Sequence, residues 1–296
     1  MDYITAKPLA DVTRVELDDS PPATTVRRMD DLGVDGVIID NLLSAEECER
    51  LVQAAEASGG FAFWDPEGGT EKRQVRNADT LEFDDPELCD ALFQRLLPNI
   101  TPTVCFTPED EETFETELEG EWYATGLNTH LLLNRYGSGG HFAPHADGST
   151  LIDFNRRSLY TVLIYVNDCT EGGATQILSS ADGEATAVRP LDGARVAKPE
   201  AIVYSVEPLC GRALMYYHQV LHAGETVGKH ACKYCLRSDV MYERRPAICT
   251  APNDVQAYSL VLEARAKEAA GEPMEALPLY MRASKMSREV KRMCQL

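Results

Sequence analysis

The chain has 296 residues, 44% of them hydrophobic and 26% charged, with a formal net charge of -20. That length holds one large domain, or one domain with an appendage. The charge argues against a nucleic-acid backbone or an anionic membrane surface as the main partner, because both need clustered Lys and Arg. No apolar run reaches the roughly 18 residues needed to span a bilayer, and the first residues show neither a basic nor an apolar signal region. A cytoplasmic protein is the expectation, and its nine cysteines read as reduced thiols. Cys232 and Cys235 form a C-x-x-C inside a strand pattern and read as two small half-buried residues.

In chain order, 1–33 is polar, contains Pro21 and Pro22, and predicts a loosely packed arm. VDGVIID (34–40) predicts a strand. Ser44 then opens a helix: it can cap, Glu47 stands three residues on, and Leu51, Val52 and Ala55 recur at helical spacing up to Gly59. A second helix fits 84–98, with Pro86 in its first turn and Pro98 at its end. Between the two, the stretch 60–75 is rich in Gly and polar groups and fits a lid. From about residue 120, short apolar runs alternate with turns: LNTHLLLNRY, SLYTVLIYV, GATQIL, AIVYSV, GRALMYY and KYCLRSDVMY. Many short strands without interleaved helices predict an antiparallel sandwich or barrel such as a jelly roll. The stretch 179–200 predicts an inserted loop or hairpin. After Pro252, VQAYSLVLEARAKEAAG and PMEALPLYMRASKMSREVKRM predict two helices separated by Gly271.

The chemistry concentrates in GGHFAPHADGS (139–149). In an extended strand, residues i and i+2 face the same side, so His145 and Asp147 can offer a nitrogen and an oxygen to one ion. VLHAGETV supplies His222 as a third ligand, after an apolar strand. Two histidines and one carboxylate leave open positions on a six-coordinate ion, which suits ferrous iron that must also hold a co-substrate and oxygen. Of the other histidines, His130 reads as a strand residue and His218 as a group behind the ligands. His141 lacks so good a carboxylate partner, and His230 reads as solvated.

The motifs IDNLLSAEECERLV, GLNTHLLLNRYGSGGHFAPHADGS, YTVLIYVNDCTEGGATQI, VEPLCGRALMYYHQVLHAGETV and KYCLRSDVMY resemble, in that order, the iron(II)/2-oxoglutarate-dependent dioxygenases, and in particular their prolyl-4-hydroxylase-like branch. The resemblance covers about 34–242. It implies a double-stranded β-helix (jelly-roll) core; with the helices read from the residues, the expected fold class is α+β, with flanking N-terminal helices and a C-terminal helical hairpin. The arm and the terminal helices lie outside the resemblance. The organisation would be an arm over 1–33, the dioxygenase domain over 34–250 and a helical extension over 251–296 that offers a surface for protein contact. It also implies Fe(II) held by His145, Asp147 and His222, with 2-oxoglutarate and O2 as co-substrates and ascorbate as reductant.

In that family a cation holds the far carboxylate of 2-oxoglutarate, usually ten residues past the distal histidine. Here that position is Cys232, so Lys233 fits if the preceding turn carries one extra residue; Arg237, four further on and on the same face, is the alternative. Tyr136 matches a family tyrosine that hydrogen-bonds the co-substrate, and Thr161 and Thr175 are candidates of the same kind. Asp147 favours hydroxylation, because related halogenases replace this carboxylate with a small residue. Arg76, Asn77, Trp122 and Asn128 are candidates for an outer pocket. The substrate would be a peptidyl proline, a free amino acid or another small molecule, oxidised with release of succinate and CO2. Two other classes stay open: a non-oxidising cupin-like metal isomerase or hydrolase, and a catalytically silent barrel that acts as a binding scaffold.

Overall fold

The computed structural model describes residues 9–65, 69–109, 115–179, 185–189 and 191–296. It mixes helices with many antiparallel strands, and the chain divides into two compact units. The first comprises Met1–Asn99, Gly126–Ser149 and Leu159–Val240; the second comprises Ile100–Thr125, Thr150–Ser158 and Met241–Leu296. No described helix is long and apolar enough to cross a membrane.

The first unit is built on two sheets. In one, Thr25–Arg28, Gly36–Asp40, Ala213–Tyr217, Arg156–Tyr165, Lys233–Arg245, His130–Tyr136 and Asp79–Asp84 are successive neighbours. In the other, the order is Ile202–Val206, Thr175–Leu178, His222–Gly224, His141–His145 and Arg76–Asn77. Both contribute to one core: Ile38, Tyr165, Leu214, Tyr216 and Cys235 from the first sheet meet Ile177 and Val206 from the second. The β-branched and aromatic residues that mark these strands alternate faces, and the inward set makes that core.

Thr25–Arg28, expected within the arm, is an edge strand. It pairs antiparallel with Gly36–Asp40 although all four of its residues are exposed. With no buried face, no apolar alternation marks it; the backbone ladder holds it together with Arg27, whose guanidinium lies 4.4 Å over the Tyr204 ring and donates to the Tyr204 hydroxyl. Met29, just after it, is fully buried.

The Ala45–Ser58 helix starts as its sequence dictates. Ser44 Oγ accepts from Glu47 N, and Glu47 Oε2 accepts from Ser44 N at 2.8 Å. Glu47 does more than cap. Its carboxylate is fully buried, accepts the Asp18 N–H, and takes both Arg95 nitrogens at 2.7 and 2.8 Å. Burial pushes this carboxyl up, but the Arg95 guanidinium and the two backbone N–H groups outweigh it and bring it down to about 2. Glu47→Gln, which strands Arg95, should therefore cost about 3 kcal/mol, read from the denaturant midpoint at neutral pH. Because the folded pKa lies below the unfolded one, this contribution is present above the ordinary value of 4.5 and fades as pH falls toward about 2. The gap between wild type and Glu47→Gln should close over that window. The second helix runs Pro86–Leu96, with Asp85 accepting from Leu88 N at the cap.

The segment read as a lid is organised on both sides of residues 66–68, which lie outside the described residues. Ala62–Phe63 pairs with Asp79–Asp84, Thr70–Val75 is helical, and Trp64 Nε1 donates to Arg76 O at 2.8 Å. Within the expected insertion, Thr186–Val188 pairs with Arg195–Ala197; residues 180–184 and 190 lie outside the described residues.

In the second unit, Pro252–Ala269 and Pro273–Met286 pack on one another. The next element is a separate helix, Arg288–Met293, rather than a continuation. Ser287 turns extended and caps the new helix by accepting from Val290 N at 3.0 Å. The core here comprises Phe154, Ala257, Tyr258, Val261, Ala283 and Val290 among others.

Trp122, expected at an outer pocket, belongs to the interior of this unit. It is fully buried, and its Nε1 donates to Leu118 O at 2.7 Å. Its ring lies under the guanidinium groups of Arg244 (4.4 Å) and Arg157 (5.4 Å), so packing and cation–π contact account for it. Trp122→Ala should cost about 3–5 kcal/mol, measured by chemical denaturation.

Candidate metal centre

Among the described residues, one group of His, Cys, Asp or Glu side chains could hold a metal ion: His145, Asp147 and His222, whose ligand atoms lie within 4.8 Å of one another. The sheet brings the distant histidine in. His222 is the direct antiparallel partner of His145, and their ring centroids are 4.2 Å apart. Gly224 permits this pairing, since a Cβ there would press to 3.2 Å from the Phe142 backbone and side chain. Asp147, two residues past the strand, is fixed by its own N–H to His218 O at 2.9 Å. Its oxygens stand 3.7 Å from His145 Nε2 and 3.7 Å from His222 Nε2.

Both histidines are oriented by the same device. His145 Nδ1 donates to Ala143 O at 2.8 Å, and His222 Nδ1 donates to Val220 O at 2.9 Å. A carbonyl can only accept, so Nδ1 carries the proton and Nε2 presents its lone pair to the centre. Burial and the neighbouring His222 hold His145 down to about 3 against the pull of Asp147. Burial likewise lowers His222. Burial would raise Asp147, but Arg237 and then the two histidines outweigh it, and the carboxyl lies far below its ordinary range. At neutral pH the site thus offers two neutral imidazoles and one carboxylate, the forms a metal ion needs. Metal–ligand bonds of ~2.1 Å at right angles put donors about 3 Å apart, so small side-chain rotations close the present spacing. The donor set fits a ferrous ion with an open face.

A shell of buried groups holds the carboxylate. Thr161 Oγ1 donates to Asp147 Oδ2 at 2.7 Å, and His218 Nδ1 meets Thr161 Oγ1 at 2.9 Å. The Tyr216 hydroxyl lies 3.0 Å from Asp147 Oδ2 and 3.0 Å from His222 Nε2. Arg237 Nη2 stands 3.2 Å from Asp147 Oδ1 and 3.6 Å from Asp239 Oδ1. Thr161, expected among the co-substrate contacts, has its hydroxyl committed to the carboxylate instead.

The cluster opens onto a cavity. Tyr136, Thr175, Lys233 and Arg76 line it as well. Lys233 is buried, and among the described residues its ammonium donates one hydrogen bond, to Gly173 O at 2.7 Å. Gly173 aims that carbonyl from the left-handed region (φ 78°), which glycine adopts without strain. The rings of Tyr165 and Tyr136 lie 5.1 and 5.4 Å from the ammonium, and burial lowers the Lys233 pKa. Tyr165 donates to Thr175 Oγ1 at 2.7 Å nearby.

Asn77 and Asn128 are not brought to this cavity. Asn77 Oδ1 accepts from Arg73. Asn128 sits in the turn before His130, where its Oδ1 accepts from His130 N and its carbonyl from Ser238 Oγ. Tyr216 was not singled out from the sequence. Its signal is register: it lies directly opposite Thr161, so it shares that residue's face.

Fold and site define a class, a β-sheet protein with a candidate 2-His-1-carboxylate centre. Residues 131–238, which contain the three candidate ligands, match the 2OG-Fe(II) oxygenase superfamily. No curated protein matches the chain. Solved structures with a likeness include a viral collagen prolyl hydroxylase from Paramecium Bursaria Chlorella virus-1 (18% identity, 71% of this chain and 97% of that chain, TM-score 0.41). A Pseudomonas putida prolyl-4-hydroxylase gives 16% identity over 73% of this chain and 96% of that chain, with a TM-score of 0.42. A Trichoplax adhaerens prolyl hydroxylase, in complex with a hypoxia inducible factor peptide fragment, gives 16% over 71% and 84%, with a TM-score of 0.44.

Proposed function

We propose that the chain is an Fe(II)/2-oxoglutarate-dependent dioxygenase of the prolyl-4-hydroxylase-like branch, with a double-stranded β-helix core. It would hydroxylate a peptidyl proline, an amino acid or another small molecule and release succinate and CO2. One observation carries the reading: a single cavity holds both the His-Asp-His cluster and a buried lysine with no carboxylate partner among the described residues. A buried cation so placed is costly until a carboxylate arrives. A keto acid that chelates iron at one end and carries a carboxylate at the other answers both features.

In this reading His145, Asp147 and His222 hold the iron, and Lys233 takes the far carboxylate, with Thr175 and Tyr136 beside it. Arg237 is the weaker candidate for that task, since Asp147 and Asp239 already face it. Thr161, Tyr216 and Arg237 keep the Asp147 carboxylate ionised and oriented. The iron, when bound, supplies oxygen activation coupled to decarboxylation of the keto acid. The protein's own part is to position ligands, co-substrate and substrate, and to limit access of water through the buried wall around Tyr216 and Tyr165. Ascorbate would keep the iron reduced. The exposed stripe of Met274, Leu277 and Met281 is where a protein contact through the C-terminal helices would fall.

The test is succinate formation from 2-oxoglutarate under Fe(II) and ascorbate, scored against peptides, free amino acids and extracts. Substrate-stimulated succinate release is the expected result. A protein that binds the metal but neither binds nor consumes 2-oxoglutarate would instead fit a cupin-like isomerase or hydrolase, which has no use for Lys233.

A further inference from the structure

We propose that Arg76 receives a carboxylate of the substrate, so that the site takes a free acid, either an amino acid or a chain with a free carboxyl end, in preference to the corresponding amide. The inference rests on the functional reading above and narrows its substrate class. Three cationic side chains line the cavity: Lys233, Arg237 and Arg76. Lys233 answers the far carboxylate of the co-substrate, and Arg237 faces Asp147 and Asp239. Arg76 is left with neutral partners. Its Nη2 donates to Asn134 Oδ1 at 2.5 Å and to Thr80 Oγ1 at 3.3 Å. Its Nε is buried without a hydrogen-bond partner, and no carboxylate pairs with it among the described residues.

The guanidinium is held rather than loose. Thr80 Oγ1 donates to Asn134 Oδ1 at 2.9 Å, which fixes the acceptor. Arg76 Cζ lies 4.8 Å from the Phe142 ring centroid and 5.5 Å from that of Trp64. Phe142 in turn stacks on His145 at 3.7 Å. Arg76 therefore stands two ring contacts from the candidate metal cluster, within the reach of a small substrate. A planar, pre-oriented guanidinium with unused N–H groups is suited to a carboxylate. Arg73, on the helix leading into it, likewise has no carboxylate partner among the described residues; its guanidinium lies 3.9 Å over Phe63. In a chain with 48 acidic against 28 basic side chains, an arginine that lines the cavity without a carboxylate partner among the described residues points to an anionic ligand.

The experiment uses the full chain loaded with Mn(II) and 2-oxoglutarate under nitrogen. Melting temperature and apparent Kd are measured against free and N-acetylated amino acids and short peptides, each beside its carboxamide. The free acid of the best pair should bind at least about tenfold tighter than its amide. Arg76→Gln should bring that ratio to about one, while Arg76→Lys retains part of it. 2-Oxoglutarate affinity, titrated separately, should suffer less in Arg76→Gln than affinity for the acid does. The proposal is overturned if no acid outbinds its amide, or if Arg76→Gln loses as much on 2-oxoglutarate as on the acid. The latter result would make Arg76 a co-substrate residue. If the wild type binds no 2-oxoglutarate, the functional reading fails; the acid-over-amide ratio and its loss in Arg76→Gln can still be read without it.

Discussion

His222→Ala should abolish metal binding and 2-oxoglutarate turnover while leaving the fold in place, and His145→Ala should do the same. The cluster has three donors, and each imidazole is clamped by a carbonyl of its own strand, at Val220 or Ala143. Neither can be replaced by a neighbour that swings in: His218 is held by Thr161, and His141 contacts the carbonyls of Gly139 and Gln74. The fold, by contrast, loses one hydrogen bond and some ring contact, about 1–3 kcal/mol, because the ladder around residues 142–145 is made by backbone. Two measurements separate the effects. Metal titration of the apo protein should raise the wild-type melting temperature by mass action and leave either variant unmoved. Circular dichroism without metal should be alike for all three. Full turnover by either variant would remove the assignment.

The i, i+2 spacing of His145 and Asp147 makes them candidates for one ion, although the strand ends at His145 and Asp147 is set beside it by its N–H to His218 O rather than by strand parity. His222 stands out as a histidine that follows the apolar GRALMYY strand. What the count cannot supply is the register that sets His222 opposite His145; that depends on where the sheets close. The same limit explains the division between Lys233 and Arg237. They share a strand and a face, so nothing local distinguishes them. Asp147, ninety residues away, occupies Arg237 and leaves Lys233 with a carbonyl. Thr161, expected beside the co-substrate, is buried and has Asp147 as its partner. Trp122 and Asn128 misled because adjacency to core strands in sequence does not make a residue line their cavity. Trp122 is buried under arginines, and Asn128 closes a turn. Tyr216 passed unnoticed because GRALMYY reads as an apolar core strand, and a hydroxyl's target is not written in its neighbours.

Lys233→Met should weaken 2-oxoglutarate binding about 100-fold, near 3 kcal/mol, and at the same time stabilise the apo protein. The two signs follow from one fact. Without co-substrate, a buried ammonium rests on one carbonyl and two ring faces, and burial lowers its pKa from the ordinary 10.5. A lysine whose folded pKa lies below its unfolded value favours unfolding at lower pH, and that cost fades only as pH rises toward the unfolded value. Methionine fills a similar volume without the charge, so the chemical-denaturation midpoint of the apo variant should exceed that of wild type at pH 7. In the complex the charge is needed, and the order reverses. Pyruvate sharpens the test, since it keeps the chelating 2-oxo acid but has no far carboxylate. Lys233→Met should leave pyruvate affinity of the Mn(II)-loaded protein nearly unchanged while that for 2-oxoglutarate falls. Arg237→Met should weaken metal binding and thereby both keto acids alike, because it removes the counterion of Asp147. Equal loss on pyruvate and 2-oxoglutarate in Lys233→Met would take the far carboxylate away from Lys233, and selective loss on 2-oxoglutarate in Arg237→Met would transfer it there.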